Sequence, residues 1–324
     1  MTVVVLGIDA LDPELLDPDL HPNLALEGWS AIDTIVSSSG EPSTHELWPT
    51  IITGLEPHEH GLKLDEGVAW QNPLLRIGRD YAGPLIPDGV QSKIGSWLLN
   101  NTDEDAFRTP ANYYPENGLD TVFGGRQSKA IGIPNYVVDP TDTDREHELR
   151  KDMGELFERD SDARGGHRSS DPVEFYELCM EMSMVRIALT RRALRSKKYE
   201  LVFGYTSGLD LIGHVSYQLP ELQKEAYQEL DDFVGELRDD LRDEDELVLV
   251  SDHGLQDGVH THQAVVASTQ DEIPEDIEDV TDLYSVINRE LEDRDHVPEK
   301  KSYEESGSGS GAEVKEQLED LGYM

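Results

Sequence analysis

The chain has 324 residues, and 68 Asp plus Glu against 27 Lys plus Arg give it a formal charge of −41. That sign argues against nucleic acid or an anionic membrane surface as a partner, because both want cations. The length suits one large α/β domain, and the acidic residues run through segments that keep apolar periodicity, so the charge reads as adaptation to high salt, where the Debye length falls to ~3 Å at 1 M, rather than as disorder.

Val3–Ile8 is a continuous apolar run closed by Asp9, which predicts a strand buried on both faces. It lacks the basic flank of a signal peptide, and nowhere does an apolar run approach the ~20 residues of a membrane span. A cytoplasmic protein is therefore expected. Residues 13–27 show helical spacing. Ser43 or Thr44 caps a predicted helix running through Ile52, with Gly54 as its stop. A further helix is expected over 88–99. The span 102–170 is rich in Asp, Arg, Gly, Pro and Asn, with strand character only in Ala130–Ile133 and Tyr136–Val138. It reads as an irregular insertion near the site, where specificity is set.

The longest predicted helix, 172–197, starts at Asp171 as N-cap with Pro172 in the first turn. It buries Phe175, Leu178, Cys179, Met182, Val185 and Leu189. The lone Cys179 excludes an intrachain disulfide and reads as a small buried hydrophobe. Arg191, Arg192, Arg195, Lys197 and Lys198 close this helix, a placement that complements its negative end. Strands 201–206 and 246–251 alternate with a helix at 218–242, and 263–268 is one more strand. A helix is expected at 281–292, then a Gly/Ser linker at 306–311 and a terminal helix at 312–324. Such alternation implies a central, mostly parallel sheet flanked by helices on both faces, in one catalytic domain over 1–305, with ligands gathering at the carboxyl ends of strands.

Chemistry-bearing residues cluster at those ends. Asp9 follows the first strand, Asp210 and His214 fall in the expected loop after LVFGYT, Asp252 and His253 follow ELVLVS, and His260 lies seven residues on. One such Asp is more often a cap or a turn. Together with Thr44 they supply three carboxylates, three imidazoles and a hydroxyl, a set that suits two divalent cations, zinc or manganese rather than calcium. Paired cations ~4 Å apart clamp the attacking and leaving oxygens of phosphoryl transfer.

These residues resemble the alkaline phosphatase superfamily, specifically its type I phosphodiesterase and nucleotide pyrophosphatase branch. The resemblance covers most of the chain. It rests on GIDALDPELL, on the T-x8-TG-x2-P-x2-HG run from Thr44 to Gly61, on D-x3-H at Asp210 and His214, on SDHG at 251–254 and on a following histidine. IPNY (133–136) and the closing LEDLGY are similar to archaeal members. The resemblance implies an alkaline phosphatase-like fold, with Asp9, Thr44, Asp252 and His253 on one cation and Asp210, His214 and His260 on the other. Thr44 is implied as nucleophile: it attacks phosphorus, the alcohol leaves, and water releases phosphate from the phospho-threonine. A small phosphate ester is the implied substrate.

Ser43 competes with Thr44, and His262 with His260; register favours Thr44 and His260. His45 and His58 read as surface residues, His60 as a brace for a turn, and Trp48 and Pro49 as packing of the nucleophile helix. Two departures stand out: Asp65 occupies a spacing where nucleotide pyrophosphatases keep an asparagine, and Ala10 follows Asp9 where glycine is common. No C/S-x-P-x-R string supports a sulfatase, and the chain is too short for the inserted domain of a phosphoglycerate mutase. A phosphomonoesterase, or a binding module that keeps its metal site, is the remaining alternative.

Overall fold

The computed structural model describes residues 1–36, 40–63, 109–139, 146–270 and 277–292. The expected helix at 88–99, Asp65, the linker at 306–311 and the terminal helix lie outside them. In chain order the elements are β1 (Val3–Ile8), α1 (Pro22–Ala25), β2 (Gly28–Asp33), α2 (Thr44–Thr53), α3 (Pro57–His60), α4 (Tyr113–Glu116), β3 (Ser128–Ile131) and α5 (His147–Leu156). There follow β4 (Phe157–Arg159), β5 (His167–Ser169), α6 (Pro172–Arg195), β6 (Leu201–Thr206), α7 (Gly208–Ser216) and α8 (Pro220–Asp239). The last are β7 (Glu246–Val250), β8 (Gly254–Gln256), β9 (Val259–Thr261), β10 (Gln263–Ser268) and α9 (Leu283–Glu292).

Six strands form the main sheet in the order β2-β10-β7-β1-β6-β3. β1 pairs in parallel with β6 and β7, and β3 with β6, while β10 runs antiparallel to both β7 and β2. Only β10 is therefore reversed, and the carboxyl ends of the other strands share one edge. The period of two along β1 splits the core. Val4, Leu6 and Ile8 face α6, α7 and α8 with Phe175, Cys179 and Leu209, whereas Val3 and Val5 face α2 and α9 with Trp48, Ile51 and Ile287. Helices on both faces explain why β1, β6 and β7 are buried at every position. Among the described residues no helix is long and apolar enough to cross a membrane.

Gly7 lets α2 approach the sheet: a Cβ there would overlap the Trp48 ring, which lies flush on β1 and edge-on to Tyr205, 4.9 Å between centroids. α2 ends at Gly54, φ 70°, a left-handed stop that glycine takes without strain. His60 braces the turn that follows. Its Nε2 meets the Thr50 hydroxyl at 3.1 Å and its Nδ1 accepts from the Leu62 amide at 3.2 Å. Burial holds this imidazole neutral, with a pKa near 4.

Three expectations are corrected. Residues 13–27 form turns and only the short α1, because Pro13, Pro18 and Pro22 interrupt the apolar spacing. The span 102–170 is not simply irregular: its described part supplies β3 to the main sheet, α5, and the β4–β5 hairpin. Asp210 and His214 stand on helix α7, not in a loop.

Candidate active site

Every predicted ligand sits at the shared carboxyl edge. Asp9 directly follows β1; Asp252 and His253 follow β7. Asp210 and His214 are four residues apart on α7, which puts them on one helix face. His260 comes from β9, the second strand of a hairpin whose two-residue turn, Asp257-Gly258, has φ of 52° and 80°. Positive φ at both positions is the type I′ geometry that Asp-Gly favours. Thr44 opens α2.

The side chains fall into two groups, Asp9 with Asp252 and His253, and Asp210 with His214 and His260; within each, the candidate ligand atoms lie within 4.8 Å of one another. Thr44 Oγ1 donates to Asp9 Oδ1 at 3.3 Å and stands 3.2 Å from His253 Nε2. Asp210 Oδ1 is 3.3 Å from Nε2 of both His214 and His260. The two groups touch through the stacked rings of His253 and His260, 4.0 Å between centroids. His262 is exposed, and the side chain that joins Asp210 and His214 is His260. His45 is half-buried rather than on the surface, while exposed His58 pairs with Glu56.

The donor set fits cations on two counts. Each imidazole points its Nδ1 at a backbone carbonyl: His253 at Gly254 (3.1 Å), His214 at Gly258 (3.3 Å) and His260 at Pro42 (3.0 Å). A carbonyl can only accept, so Nδ1 carries the proton and Nε2 presents a lone pair to the group. Second, both Asp252 oxygens and Asp210 Oδ1 are buried without a hydrogen-bond donor. Buried carboxylate oxygens are costly unless something positive meets them.

The electrostatics agree. Burial, then repulsion from Asp252 and Asp210, pushes Asp9 well above the usual carboxylate range. Burial carries Asp252 to about 7. At Asp210 burial is outweighed by His214 and His260, which hold the carboxyl well below its ordinary value. His260 is raised to about 9 because Asp210 overcomes burial, so a proton and a cation compete for the same Nε2.

Two supporting residues escaped the sequence reading. Tyr205, inside β6, donates its hydroxyl to Asp9 Oδ2 at 2.5 Å. Asp12, fully buried, accepts from Gln256 Nε2 (2.9 Å) and Thr261 Oγ1 (2.8 Å), tying the His260 hairpin to the end of β1. IPNY also gains a role. Asn135, at φ 55°, donates to the His45 carbonyl at 2.8 Å and so anchors the start of α2.

Beside the site lies a cavity of ≈ 380 Å³, walled by Met153, Phe157, Phe175, Met182 and Leu211, with Tyr205 and His45 on the site side. Buried Arg186 is part of its wall: it donates to Glu146 through Nε (3.1 Å) and Nη2 (2.8 Å), and through Nη1 to the Gly132 and Tyr205 carbonyls (3.3 Å each).

The sequence matches the type I phosphodiesterase / nucleotide pyrophosphatase family over residues 3–305. Similar solved structures include a Pyrococcus horikoshii protein, at 12% identity and a TM-score of 0.46, over 93% of this chain and 98% of that one. A murine ectonucleotide pyrophosphatase / phosphodiesterase 5, an inactive threonine-to-alanine variant in complex with AMP, gives 13% identity and 0.45, over 93% and 97%. The alkaline phosphatase of the Antarctic bacterium TAB5 gives 13% and 0.44, over 90% and 97%. No curated protein sequence matches the chain.

Proposed function

We propose, on the premise that this chain belongs to the type I phosphodiesterase / nucleotide pyrophosphatase family, that it hydrolyses phosphodiesters by passing the phosphoryl group first to Thr44 and then to water. Members of this family are hydrolases acting on phosphoric esters, within a metal-dependent superfamily. The observation that carries the finer reading is the Thr44 hydroxyl, held 3.3 Å from Asp9 and 3.2 Å from His253, both members of one of the two ligand groups.

Asp9, Asp252 and His253, with Thr44, would hold one divalent cation and Asp210, His214 and His260 the other. Zinc or manganese there would lower the pKa of the threonine hydroxyl and neutralise the phosphate oxygens. Thr44 Oγ1 is aimed by its hydrogen bond to Asp9 Oδ1, and Asp9 is fixed in turn by Tyr205. Attack forms the Oγ1–phosphorus bond and breaks the bond to the ester alcohol, which leaves with a proton. Water then attacks the phospho-threonine, restoring the hydroxyl and releasing the phosphomonoester. The positive end of α2 lies beside the transferred group throughout. The ester's organic part enters the cavity walled by Met153, Phe157 and Met182.

The test is metal-loaded protein in high salt, assayed with bis-p-nitrophenyl phosphate and p-nitrophenyl phosphate. Diester cleavage should exceed monoester cleavage, and Thr44→Ala should lower it by about 10³-fold or more with the fold intact by circular dichroism. Full turnover by Thr44→Ala would remove the nucleophile assignment. A preference for the monoester would favour a phosphomonoesterase, and cleavage of neither would favour a binding module.

A further inference from the structure

The basic run that closes α6 divides in two. Arg191 and Arg195 turn toward α8, where both reach Asp240 and Arg191 also meets Glu236. Arg192 and Lys198 turn the other way. With Lys129 of the edge strand β3 they line a second cavity of ≈ 290 Å³, whose apolar wall includes Leu189, Ala193 and Tyr199. Among the described lining residues the one carboxylate is Glu146, already engaged by Arg186 at 2.8 Å and Arg150 at 3.2 Å. In a chain with 68 acidic and 27 basic residues, three cations among the described residues around one hollow stand out. Complementing a helix end does not account for Lys129, which belongs to a strand.

We propose that this cavity binds a small phosphorylated organic anion. The dianion sits among Arg192, Lys198 and Lys129, with the planar guanidinium of Arg192 suited to two phosphate oxygens. The organic part lies against Tyr199 and Leu189. A volume of ≈ 290 Å³ stands at the small end of ligand pockets, which start at ~300 Å³. The site is separate from the reaction centre. Tyr199 precedes β6 and Asp210 follows it, so the six residues of β6, at ~3.3 Å each, hold the two ends roughly 20 Å apart. In high salt the field of the remaining acids reaches only ~3 Å at 1 M, and the cations in contact decide what binds.

The test is isothermal titration of the full metal-loaded chain with phenylphosphonate, whose carbon–phosphorus bond is not hydrolysed, in high salt. Wild type should take up two equivalents, one at the reaction centre and one here. Arg192→Gln/Lys198→Gln, altering two exposed side chains, should keep one equivalent, with kcat on bis-p-nitrophenyl phosphate within about twofold and the second affinity down at least about tenfold. Arg191→Gln, which breaks only the pairing to α8, should keep both. Uptake of a single equivalent by wild type, or of two by the double variant, overturns the proposal. Inorganic phosphate binding this cavity as tightly as phenylphosphonate overturns its apolar half.

Discussion

Asp9, Asp252 and His253 hang from the ends of β1 and β7 with side chains 0–1% exposed, whereas Asp210, His214 and His260 come from a helix and a hairpin and are 14–16% exposed. The first group crowds two carboxylates against one imidazole; the second matches one carboxylate to two. Charge therefore accumulates in the buried group, raising Asp9 and Asp252, and is neutralised from within in the other, lowering Asp210. The strand-end group is rigid but costly without a cation. The helix-and-hairpin group holds itself together and lies nearer to solvent.

The sharpest way to break this contrast is to neutralise one carboxylate in each group. Asp252→Asn and Asp210→Asn should both cost about 10²-fold or more in turnover, but move the chelated protein's stability in opposite directions. The folded pKa of Asp252, about 7, lies above its ordinary 3.8. Stability is thus full below about 4 and is lost as pH rises through about 7, by up to roughly 4 kcal/mol. Asn carries no such penalty, so Asp252→Asn should melt above wild type at pH 8 in chelator. Asp210 is shifted downward and its charge binds two imidazoles, so Asp210→Asn should melt below wild type. Thermal shifts of the same sign for both would refute the contrast.

A smaller effect concerns exchange. Chelator should strip the metal-loaded protein in two phases, at rates differing about tenfold, because opening the site nearer to solvent needs less structural disruption. His260→Ala should remove the fast phase in a time course of metal release; a single phase in wild type would mean that the groups empty together.

The smallest effect tests the link behind Asp9. Ala10 has φ 61°, a left-handed conformation that strains a residue with a Cβ. Ala10→Gly should raise stability by at most about 1 kcal/mol, since relieved strain is partly offset by the greater freedom of glycine when unfolded. Denaturant midpoints would measure this, and a destabilised variant would contradict it.

Much of the contrast was legible before folding. β1 is an uninterrupted apolar run and β7 nearly so, and a strand buried on both faces announces its own end when an Asp follows, as Asp9 does and Asp252 does one residue on. That located the buried group. The other group was found as residues but misplaced as structure, because GLDLIGH is short and carries two glycines, too little periodicity to declare a helix. The hairpin that delivers His260 went unread, although its turn, Asp257-Gly258, is a dipeptide that favours positive φ at both positions. β2 escaped notice because an edge strand such as GWSAID is only partly buried and shows weak alternation. Tyr205 and Asp12 were hidden for another reason: an aromatic in a strand reads as core, and an Asp three residues after another reads as a turn. Their roles exist only across 196 and 249 residues of separation.

Gly7 sets a length. The Trp48 ring rests where a side chain at position 7 would be, and Trp48 is one helical turn beyond Thr44. The absent methyl acts as a spacer of fixed thickness between sheet and helix, so even alanine there would lift the Thr44 hydroxyl off its carboxylate neighbour Asp9. The position with the least chemistry in the strand thus governs the reach of the hydroxyl, and selection on activity would be felt at a residue that touches no substrate.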